Sequence, residues 1–405
     1  MCAAGKRSTE HNMSSLLIAV IYLAFISLGL PDSLLGSAWP VMHADIGASV
    51  SSAGIVTMII SAGTIVSALS TNKLVSVMGT PVVTAISVLL TAAAILAFSF
   101  ASAFWQLCVF AVPYGLGAGA IDTSLNNFVA KHLSSRHMSW LHCCWGIGAM
   151  TGPYVMGYAL TGAGGWHGGY RIIAAVQFVL TLVMFISVPR WRKAENGASV
   201  GEDEREEALS PFRTFRLKGA VFAFIAAMLY FAIEQLPIVW ASTYFTEVWS
   251  LDADTAAFLA SLFYIGITAG RGASGFVSGR AGDKLMIRTG IIAVLVGAAL
   301  IAFAAFVGAF ALSVIGFLLV GLGCAPVFPS LLHSVPGNFG KKYSGSVIGV
   351  TMAFSYTGMI FTPVLFGKLA ELTTIELLPF GVMLLAAGVY FFTEMMNFKV
   401  KKNAL

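Results

Sequence analysis

Four ionisable residues lie within apolar stretches of this 405-residue chain, namely Asp32, Asp122, Glu234 and Arg271. A charged side chain at the centre of a bilayer costs about 2.5–3.5 kcal/mol. Because such costs rarely persist for packing alone, each acid is a candidate for holding a proton or a polar solute inside a membrane. The alternative is a structurally paired or snorkelling charge, and it has most weight for Arg271, which lies toward the cytoplasmic end of its stretch.

Asp122 stands in the stretch GAGAIDTSLNNFVAKH, residues 117–132. Helical spacing places Asn126 on the same face, with Gly115 and Gly119 on the preceding turns. Glycines allow a neighbouring helix to approach, while carboxyl and amide groups offer hydrogen bonds to a solute. The spacing therefore predicts a polar binding face at Asp122 and Asn126 rather than a lipid contact.

Asp32 lies in the stretch LGLPDSLLGSAWP, residues 28–40, where Pro31 predicts a helix kink. Trp39 is seven residues further along, on the same face of an unbroken helix. An indole beside a carboxylate suits a sugar, because the ring stacks on the sugar while the acid accepts its hydroxyl hydrogens. A tryptophan of the membrane–water interface is an equally good interpretation, because the apolar stretch ends nearby.

A second polar group occurs in YFAIEQLPIVWASTYF, residues 230–245, which contains Glu234, Gln235 and Trp240. We expect these three side chains to contact the same solute as Asp122. His142 adds a titratable candidate for that binding site near the start of another apolar stretch. A lone histidine at such a position is more often a packing residue, so both interpretations stay open.

Membrane helices must carry these residues. The chain is 58% hydrophobic and 10% charged, with a mean hydropathy of +0.86, whereas a soluble domain carries about 25% charged residues. A membrane helix needs roughly 20 mostly apolar residues. Twelve stretches meet this requirement: 14–41, 52–73, 81–101, 105–130, 139–161, 170–189, 219–246, 255–279, 286–307, 309–333, 344–370 and 374–397.

The basic residues predict the orientation of these spans. With twelve spans, the termini and every second loop share one side, which carries nearly all lysines and arginines outside the spans. The other side carries only Arg171 and Lys368. We therefore expect a multi-pass protein of the cytoplasmic (inner) membrane with both termini in the cytoplasm.

A charged stretch after the sixth span divides the chain into two halves. We expect a cytoplasmic N-terminus (1–13), a six-helix half (14–189), a cytoplasmic linker (190–218), a second six-helix half (219–397) and a cytoplasmic tail (398–405). Gly115-Leu116-Gly117 in the fourth span recurs as Gly321-Leu322-Gly323 in the tenth. Two parallel halves of this kind are typical of one transporter architecture, with its binding site near the midplane between them.

The stretch GRGASGFVSGRAGDKLMIRTG, residues 270–290, joins the eighth and ninth spans. Its small residues allow two helix ends to approach, and an acid with basic neighbours can latch the cytoplasmic face. We therefore expect Arg271, Asp283 and Lys284 to act in gating. The counterpart in the first half, residues 70–80, lacks the acid, so a latch should be weaker or absent there. We interpret His333, in the tenth span, as a packing residue.

These motifs resemble those of the major facilitator superfamily, and the resemblance covers nearly the whole chain. Gly279, Gly282, Asp283 and Lys284 fit the loop motif of that family. The stretch GAMTGPYVMG, residues 148–157, resembles a Gly-Pro motif that is common in its exporters. A close-packed Gly/Pro kink explains the second stretch at least as well as a directional role.

Within the superfamily, the chain is similar to the fucose permease branch of sugar–proton symporters and their sugar-transporter-like relatives. Members of this branch carry one acid in the first span and another in the fourth, and Asp32 and Asp122 stand in those places. An aromatic–Glu–Trp pattern in the seventh span is matched by Tyr230, Glu234 and Trp240. The chain departs from the permease in having Asp rather than Glu in the fourth span, within the different stretch DTSLNNF.

The resemblance implies an all-α membrane protein with twelve helices in two pseudo-symmetric halves. It implies proton-coupled alternating access for a small polar solute, a monosaccharide, with Asp32 and Asp122 as the proton sites. The expected substrate contacts are Asp122, Asn126, Glu234, Gln235, Trp39, Trp240 and His142. A proton-driven exporter of drugs or amphipathic metabolites is the alternative, because 30 Phe and 16 Met also suit a wide apolar cavity. A non-transporting sensor of the same fold is a third class, which retained acids in both halves disfavour.

Other classes of protein lack support in the sequence. It contains no nucleotide-binding loop, no nucleophile–base motif and no metal spacing among its five cysteines, so we expect no enzymatic activity, cofactor or metal. The basic residues of the linker alternate with acids, which disfavours nucleic-acid binding. The expected partners are the small-molecule substrate, protons and the lipid bilayer, and we expect a monomer.

Overall fold

The computed structural model describes residues 15–49, 52–197 and 207–401. All regular secondary structure within these ranges is helical. The expected N-terminal segment 1–13, the centre of the linker (198–206) and the end of the tail (402–405) lie outside the described residues.

The α-helices of the described ranges are, in chain order, α1 Ser15–Asp32, α2 Leu34–Asp45, α3 Ala53–Met78, α4 Thr80–Phe98, α5 Phe104–His132, α6 Ser135–Thr161, α7 Gly165–Gly197, α8 Pro211–Thr214, α9 Ala220–Trp249, α10 Ala253–Ala281, α11 Asp283–Val307, α12 Phe310–Cys324, α13 Val327–Phe339, α14 Ser344–Leu372 and α15 Leu378–Lys401. Short 3-10 helices at Lys341–Tyr343 and Ile375–Leu377 precede the last two.

These helices form twelve segments of membrane-spanning length in the part of the chain that the structure describes. Two segments are interrupted: α1 with α2 (Ser15–Asp45), and α12 with α13 (Phe310–Phe339). Ten of the twelve segments are also apolar enough to cross a bilayer by composition, and the other two are α6 and α10. The expected all-α fold with twelve spans is confirmed. Helix α7 continues to Gly197, into the sequence of the expected linker.

The chain forms two compact units. Unit 1 comprises Met1–Leu133, Leu141–Ala208 and Lys341–Gly349. Unit 2 comprises Ser134–Trp140, Leu209–Gly340 and Val350–Leu405. Unit 1 therefore includes a short segment from the second half of the sequence, and unit 2 includes one from the first half.

The repeated Gly-Leu-Gly sequence has the same packing role in each unit. In unit 1, a β-carbon at Gly115 would meet the backbone of Ile60 on α3, and one at Gly117 would meet α4. In unit 2, a β-carbon at Gly321 would meet the backbone of Phe263 on α10, and one at Gly323 would meet α11. In both units, therefore, glycines let the repeat-bearing helix (α5 or α12) sit tightly between two neighbours.

A second glycine contact positions the polar residues of unit 1. At the crossing of α1 and α6, a β-carbon at Gly29 would meet the backbone of Trp145, and one at Gly148 would meet the backbone of Ile26. Close to the same crossing, Ser33 Oγ donates a hydrogen bond of 2.7 Å to the carbonyl oxygen of Ala149. The crossing therefore fixes Asp32, at the end of α1, relative to the indole of Trp145.

The variant Gly29→Ala should test this crossing. We expect overpacking to lower the stability of the protein by about 1–3 kcal/mol, because the added methyl group would meet backbone atoms of α6 that have no free rotation. The measurement is thermal unfolding of the purified protein in detergent.

Gly36→Ala is the matched control, because Gly36 belongs to the same span and a β-carbon there would meet nothing within 4 Å. It should leave stability unchanged or raise it by about 0.5–1 kcal/mol through helix propensity. Equal unfolding temperatures for the two variants would contradict the close crossing.

Candidate functional site

Both interrupted spans break beside prolines. The first breaks at Ser33 (φ −100°, ψ −4°), directly after Pro31 and Asp32, where the sequence predicts a kink. The other breaks between Cys324 and Val327, at Pro326, which the sequence analysis did not anticipate. Non-helical backbone at membrane depth is tolerated where it is buried in protein or lines a water-filled cavity. The two breaks are therefore the places at which to look for a polar site.

At the first break, two neutral donors hold the carboxylate of Asp32. Tyr114 Oη, on α5, donates a hydrogen bond of 2.7 Å to Asp32 Oδ1. Trp145 Nε1, on α6, donates one of 2.8 Å to Asp32 Oδ2. The Asp32 residue is nevertheless exposed, and a carboxylate in a span is not expected to face lipid. Asp32 is therefore a candidate position for contact with water or a solute.

The indole beside Asp32 belongs to Trp145 and not to Trp39. Trp39 is only 5% exposed and lies in a hydrophobic cluster with Leu34 and Met42. Its expected position assumed one continuous helix from Asp32, whereas the span is interrupted at Ser33. The structure therefore gives Trp39 a packing role, as neither a substrate contact nor an interfacial anchor.

Asp122, Asn126 and His142 lie together in unit 1. Asn126 Nδ2 donates to Asp122 Oδ1 (2.7 Å) and to the carbonyl oxygen of Asp122 (2.9 Å). His142 Nε2 lies 3.1 Å from Asn126 Oδ1, and its ring meets the ring of Phe25 edge-on at 5.6 Å. Asn126 and His142 are buried, whereas Asp122 is half-buried. Asp122 is thus the member of this group that a solute reaches most directly.

Glu234 and Arg271 form a buried ion pair in unit 2. Arg271 Nη2 lies 3.2 Å from Glu234 Oε1, and the side chains are 4% and 7% exposed. Tyr230 Oη donates a hydrogen bond of 3.0 Å to the carbonyl oxygen of Cys324, the last residue before the second helix break. Glu234 is therefore the counter-ion of Arg271, not an acceptor kept for a substrate, and Arg271 belongs to this pair instead of a gating cluster with Asp283.

The other expected substrate contacts of unit 2 differ in their surroundings. Trp240 Nε1 donates a hydrogen bond of 3.1 Å to the carbonyl oxygen of Pro363 on α14, and its ring packs on Phe366. The indole thus joins α9 to α14, which is a structural role. Gln235 is half-buried next to the ion pair and stays a candidate contact.

Asp283 pairs with a residue that the sequence analysis assigned to packing. His333 Nδ1, on α13, lies 2.8 Å and 3.0 Å from the two carboxylate oxygens of Asp283, at the start of α11. Lys284 is exposed. No local spacing reveals this pair, because its members are 50 residues apart. In the loop motif, therefore, the acid contacts His333 within unit 2.

The equivalent stretch of unit 1, residues 70–80, lacks an acid at the position of Asp283, and the contacts there are made by neutral side chains. Asn72 Nδ2 donates a hydrogen bond of 2.8 Å to Ser346 Oγ. Ser344 Oγ donates one of 2.8 Å to Asn127 Oδ1. The first turn of α14 is therefore attached to α3 and α5 by buried hydrogen bonds in place of an ion pair.

Twelve membrane-spanning helical segments, with ionisable groups at the breaks of two of them, define a multi-pass membrane transport protein. The chain belongs to the Major Facilitator Superfamily, whose family model matches residues 21–394. This membership confirms the resemblance to that superfamily and the expectation of a transporter rather than an enzyme.

One relative is named for sugars and another is uncharacterized. The glucose/mannose transporter GlcP of Bacillus subtilis (strain 168) is 27% identical over 311 residues, which cover 74% of this chain and 73% of that protein. An uncharacterized MFS-type transporter of Yersinia pestis is 22% identical over 271 residues, and the alignment covers 65% of each chain, slightly less than two thirds of that relative.

Solved structures share the fold. The proton:xylose symporter XylE superposes with a TM-score of 0.76 at 12% identity, covering 95% of both chains. The fucose:proton symporter FucP of E. coli superposes with a TM-score of 0.75 at 15% identity, covering 94% of this chain and 98% of that one. At these identities the similarity establishes the shared architecture.

Single and double substitutions of the buried ion pair should test its assignment. We expect Glu234→Gln alone to destabilise the protein by about 3–5 kcal/mol, because it leaves the guanidinium of Arg271 buried without its counter-ion. The double variant Glu234→Leu/Arg271→Met should recover most of that loss, because apolar groups of similar volume replace both charges. Thermal and denaturant unfolding in detergent measure these changes.

The control is the ion pair of Arg288 and Glu394, whose side chains are 47% and 31% exposed. Glu394→Gln should change stability by no more than about 1 kcal/mol. A Glu234→Gln variant as stable as Glu394→Gln would show that Glu234 has no structural role as a counter-ion.

Proposed function

We propose that this protein is a secondary active transporter that moves a monosaccharide together with protons by alternating access. The observation that carries the proposal is the accessible carboxyl group of Asp32, held at a helix break by Tyr114 and Trp145. Both donors are neutral, so neither fixes the carboxyl group in its ionised form as an arginine would.

The proton sites of this proposal are Asp32 and Asp122. A carboxyl group that loses contact with water binds its proton more tightly, whereas hydration favours proton release. A site that is opened to water on one side of the membrane at a time therefore takes up a proton on one side and releases it on the other. Glu234 does not share this role, because it is engaged in a buried ion pair with Arg271 at 3.2 Å.

The substrate class follows from the hydrogen-bonding groups and from the relatives. Asp122 accepts hydrogen bonds, Asn126 orients it, and the indole of Trp145 lies beside Asp32, where a sugar ring can stack. A relative named for glucose and mannose matches 74% of the chain. We therefore assign substrate binding to Asp122, with Asn126 as its support, keep Gln235 as a candidate substrate contact, and leave Trp39, Glu234 and Trp240 to structural roles.

The location follows from the distribution of charge. Because nearly all basic residues outside the spans lie on one side of the predicted topology, we propose the cytoplasmic (inner) membrane, with both termini in the cytoplasm. Gating then involves the ends of helices, where Asp283 pairs with His333. We propose a monomer as the transporting species.

Uptake into proteoliposomes tests the proposal. Labelled glucose, mannose, xylose and fucose are offered with and without an imposed inward proton gradient, and the gradient should drive accumulation of at least one of them. The double variant Asp32→Asn/Asp122→Asn should lose gradient-driven accumulation, because neither amide binds a proton.

Asp252→Asn is the matched control. Asp252 accepts a hydrogen bond from the backbone nitrogen of Thr255 as the N-cap of α10, outside the spans, and asparagine caps helices equally well. Its transport should equal that of the wild type. Gradient-driven accumulation that survives the double substitution would refute proton coupling through these acids, whereas efflux of an amphipathic dye without accumulation of any sugar would support the exporter.

A further inference from the structure

Asn126 lies between two titratable side chains and contacts both with the two ends of its amide. Its nitrogen donates to the carboxylate of Asp122 at 2.7 Å, and its oxygen lies 3.1 Å from Nε2 of His142. The amide is fully buried, and His142 is 7% exposed. A buried amide with fixed neighbours must match its donor and acceptor ends to theirs.

This match determines the hydrogens of the neighbours. An amide oxygen only accepts hydrogen bonds, so in the orientation observed Nε2 of His142 carries a hydrogen, and Asp122 Oδ1 accepts from Nδ2. Nδ2 also donates to the carbonyl oxygen of Asp122 at 2.9 Å, and this bond fixes the amide in one orientation, because a turned amide would place its oxygen against that carbonyl. In this orientation the amide can accept from a neutral or a charged imidazole and donate to an ionised or a protonated carboxyl group.

We propose that Asp122 and His142 form a single proton site whose two ends are coupled by the amide of Asn126. In one state the imidazole carries a hydrogen on both nitrogens and Asp122 is a carboxylate; in the other, Asp122 holds the proton and His142 is neutral with its hydrogen on Nε2. No bond within the amide is made or broken, and the amide keeps its orientation in both states. Water entering the site carries the proton between the imidazole and the carboxyl group.

The surroundings of His142 are consistent with this role. From α1 it faces the ring of Phe25, and from α5 it faces Asn126 and, through Asn126, the carboxylate of Asp122. Cys143 and Cys144 are its neighbours on α6 itself. Imidazole is the side chain that ordinarily changes charge between about pH 5 and 8, so it is well suited to exchange a proton at physiological pH.

The inference deepens the proposed function and rests on it for its role in transport. It makes His142 a proton-positioning residue and not a substrate contact. It makes Asn126 the group through which the charge of Asp122 and the charge of His142 affect each other. A substrate hydroxyl that donates a hydrogen bond to Asp122 would favour the carboxylate, and the proton would then reside on His142. Substrate binding and protonation are thereby coupled through the amide of Asn126.

Nuclear magnetic resonance of the full-length protein, labelled with 15N-histidine in detergent, tests the coupling without any substrate. The signal of His142 is assigned by its loss in His142→Gln. We expect Asp122→Asn to move the titration midpoint of His142 by about one pH unit, a tenfold change in proton affinity. Asn126→Leu should move it as well, because the amide connection is gone.

His167 is the internal control, since its Nδ1 contacts the carbonyl oxygen of Ser99 and no side chain of the Asp122 group. Its titration should be the same in all variants. If Asn126→Leu fails to fold, the His142 midpoint in Asp122→Asn is sufficient for the test, because asparagine has nearly the same shape as aspartate. An unchanged midpoint of His142 in Asp122→Asn would overturn the inference.

A transport arm separates this inference from the proposed function. His142→Gln keeps a donor for Asn126 but cannot titrate, so it should retain sugar exchange at equal pH and lose gradient-driven accumulation by about tenfold or more. His167→Gln should retain both. A coupled titration in a protein that transports no sugar would refute the proposed function while supporting the coupled site. Normal accumulation by His142→Gln would refute the coupled site while supporting sugar transport.

Discussion

An ionised group within a membrane span must be compensated, and the two units of this protein satisfy that requirement differently. Unit 1 holds Asp32 with two neutral donors and Asp122 with an amide that also contacts a histidine. Unit 2 pairs Glu234 with Arg271 in a buried contact. Exchangeable protons are therefore expected in unit 1, while the fixed charge pair of unit 2 holds helices α9 and α10 together.

Local backbone features make both arrangements possible. The break after Pro31 ends α1 at Asp32, and the carbonyl oxygen of Cys324, beside the break at Pro326, accepts a hydrogen bond from Tyr230. Glycines at the crossing of α1 and α6 bring the Trp145 indole within hydrogen-bonding distance of Asp32. Proline and glycine, which weaken helices in water, here create the polar positions and the close contacts that surround them.

The sequence predicts features that depend on composition or on spacing within one helix. The twelve spans follow from hydropathy, and the contact of Asp122 with Asn126 follows from the i, i+4 spacing. Contacts between helices do not follow from spacing, since Arg271 and Glu234 are 37 residues apart and Trp145 and Asp32 are 113 apart. The expected position of Trp39 is a different case. It assumed one continuous helix from Asp32 to Trp39, although Pro31 already predicts a kink there.

The central claim, that sugar is transported together with protons that bind to the acids of unit 1, is tested most directly by proton flux during uptake. Weakly buffered proteoliposomes without sodium receive unlabelled glucose or another sugar that the protein accepts, and a pH electrode records the external medium. The account predicts a sugar-dependent rise of external pH that a proton ionophore abolishes. Sugar uptake with no change in external pH, or uptake that requires added sodium, would contradict it.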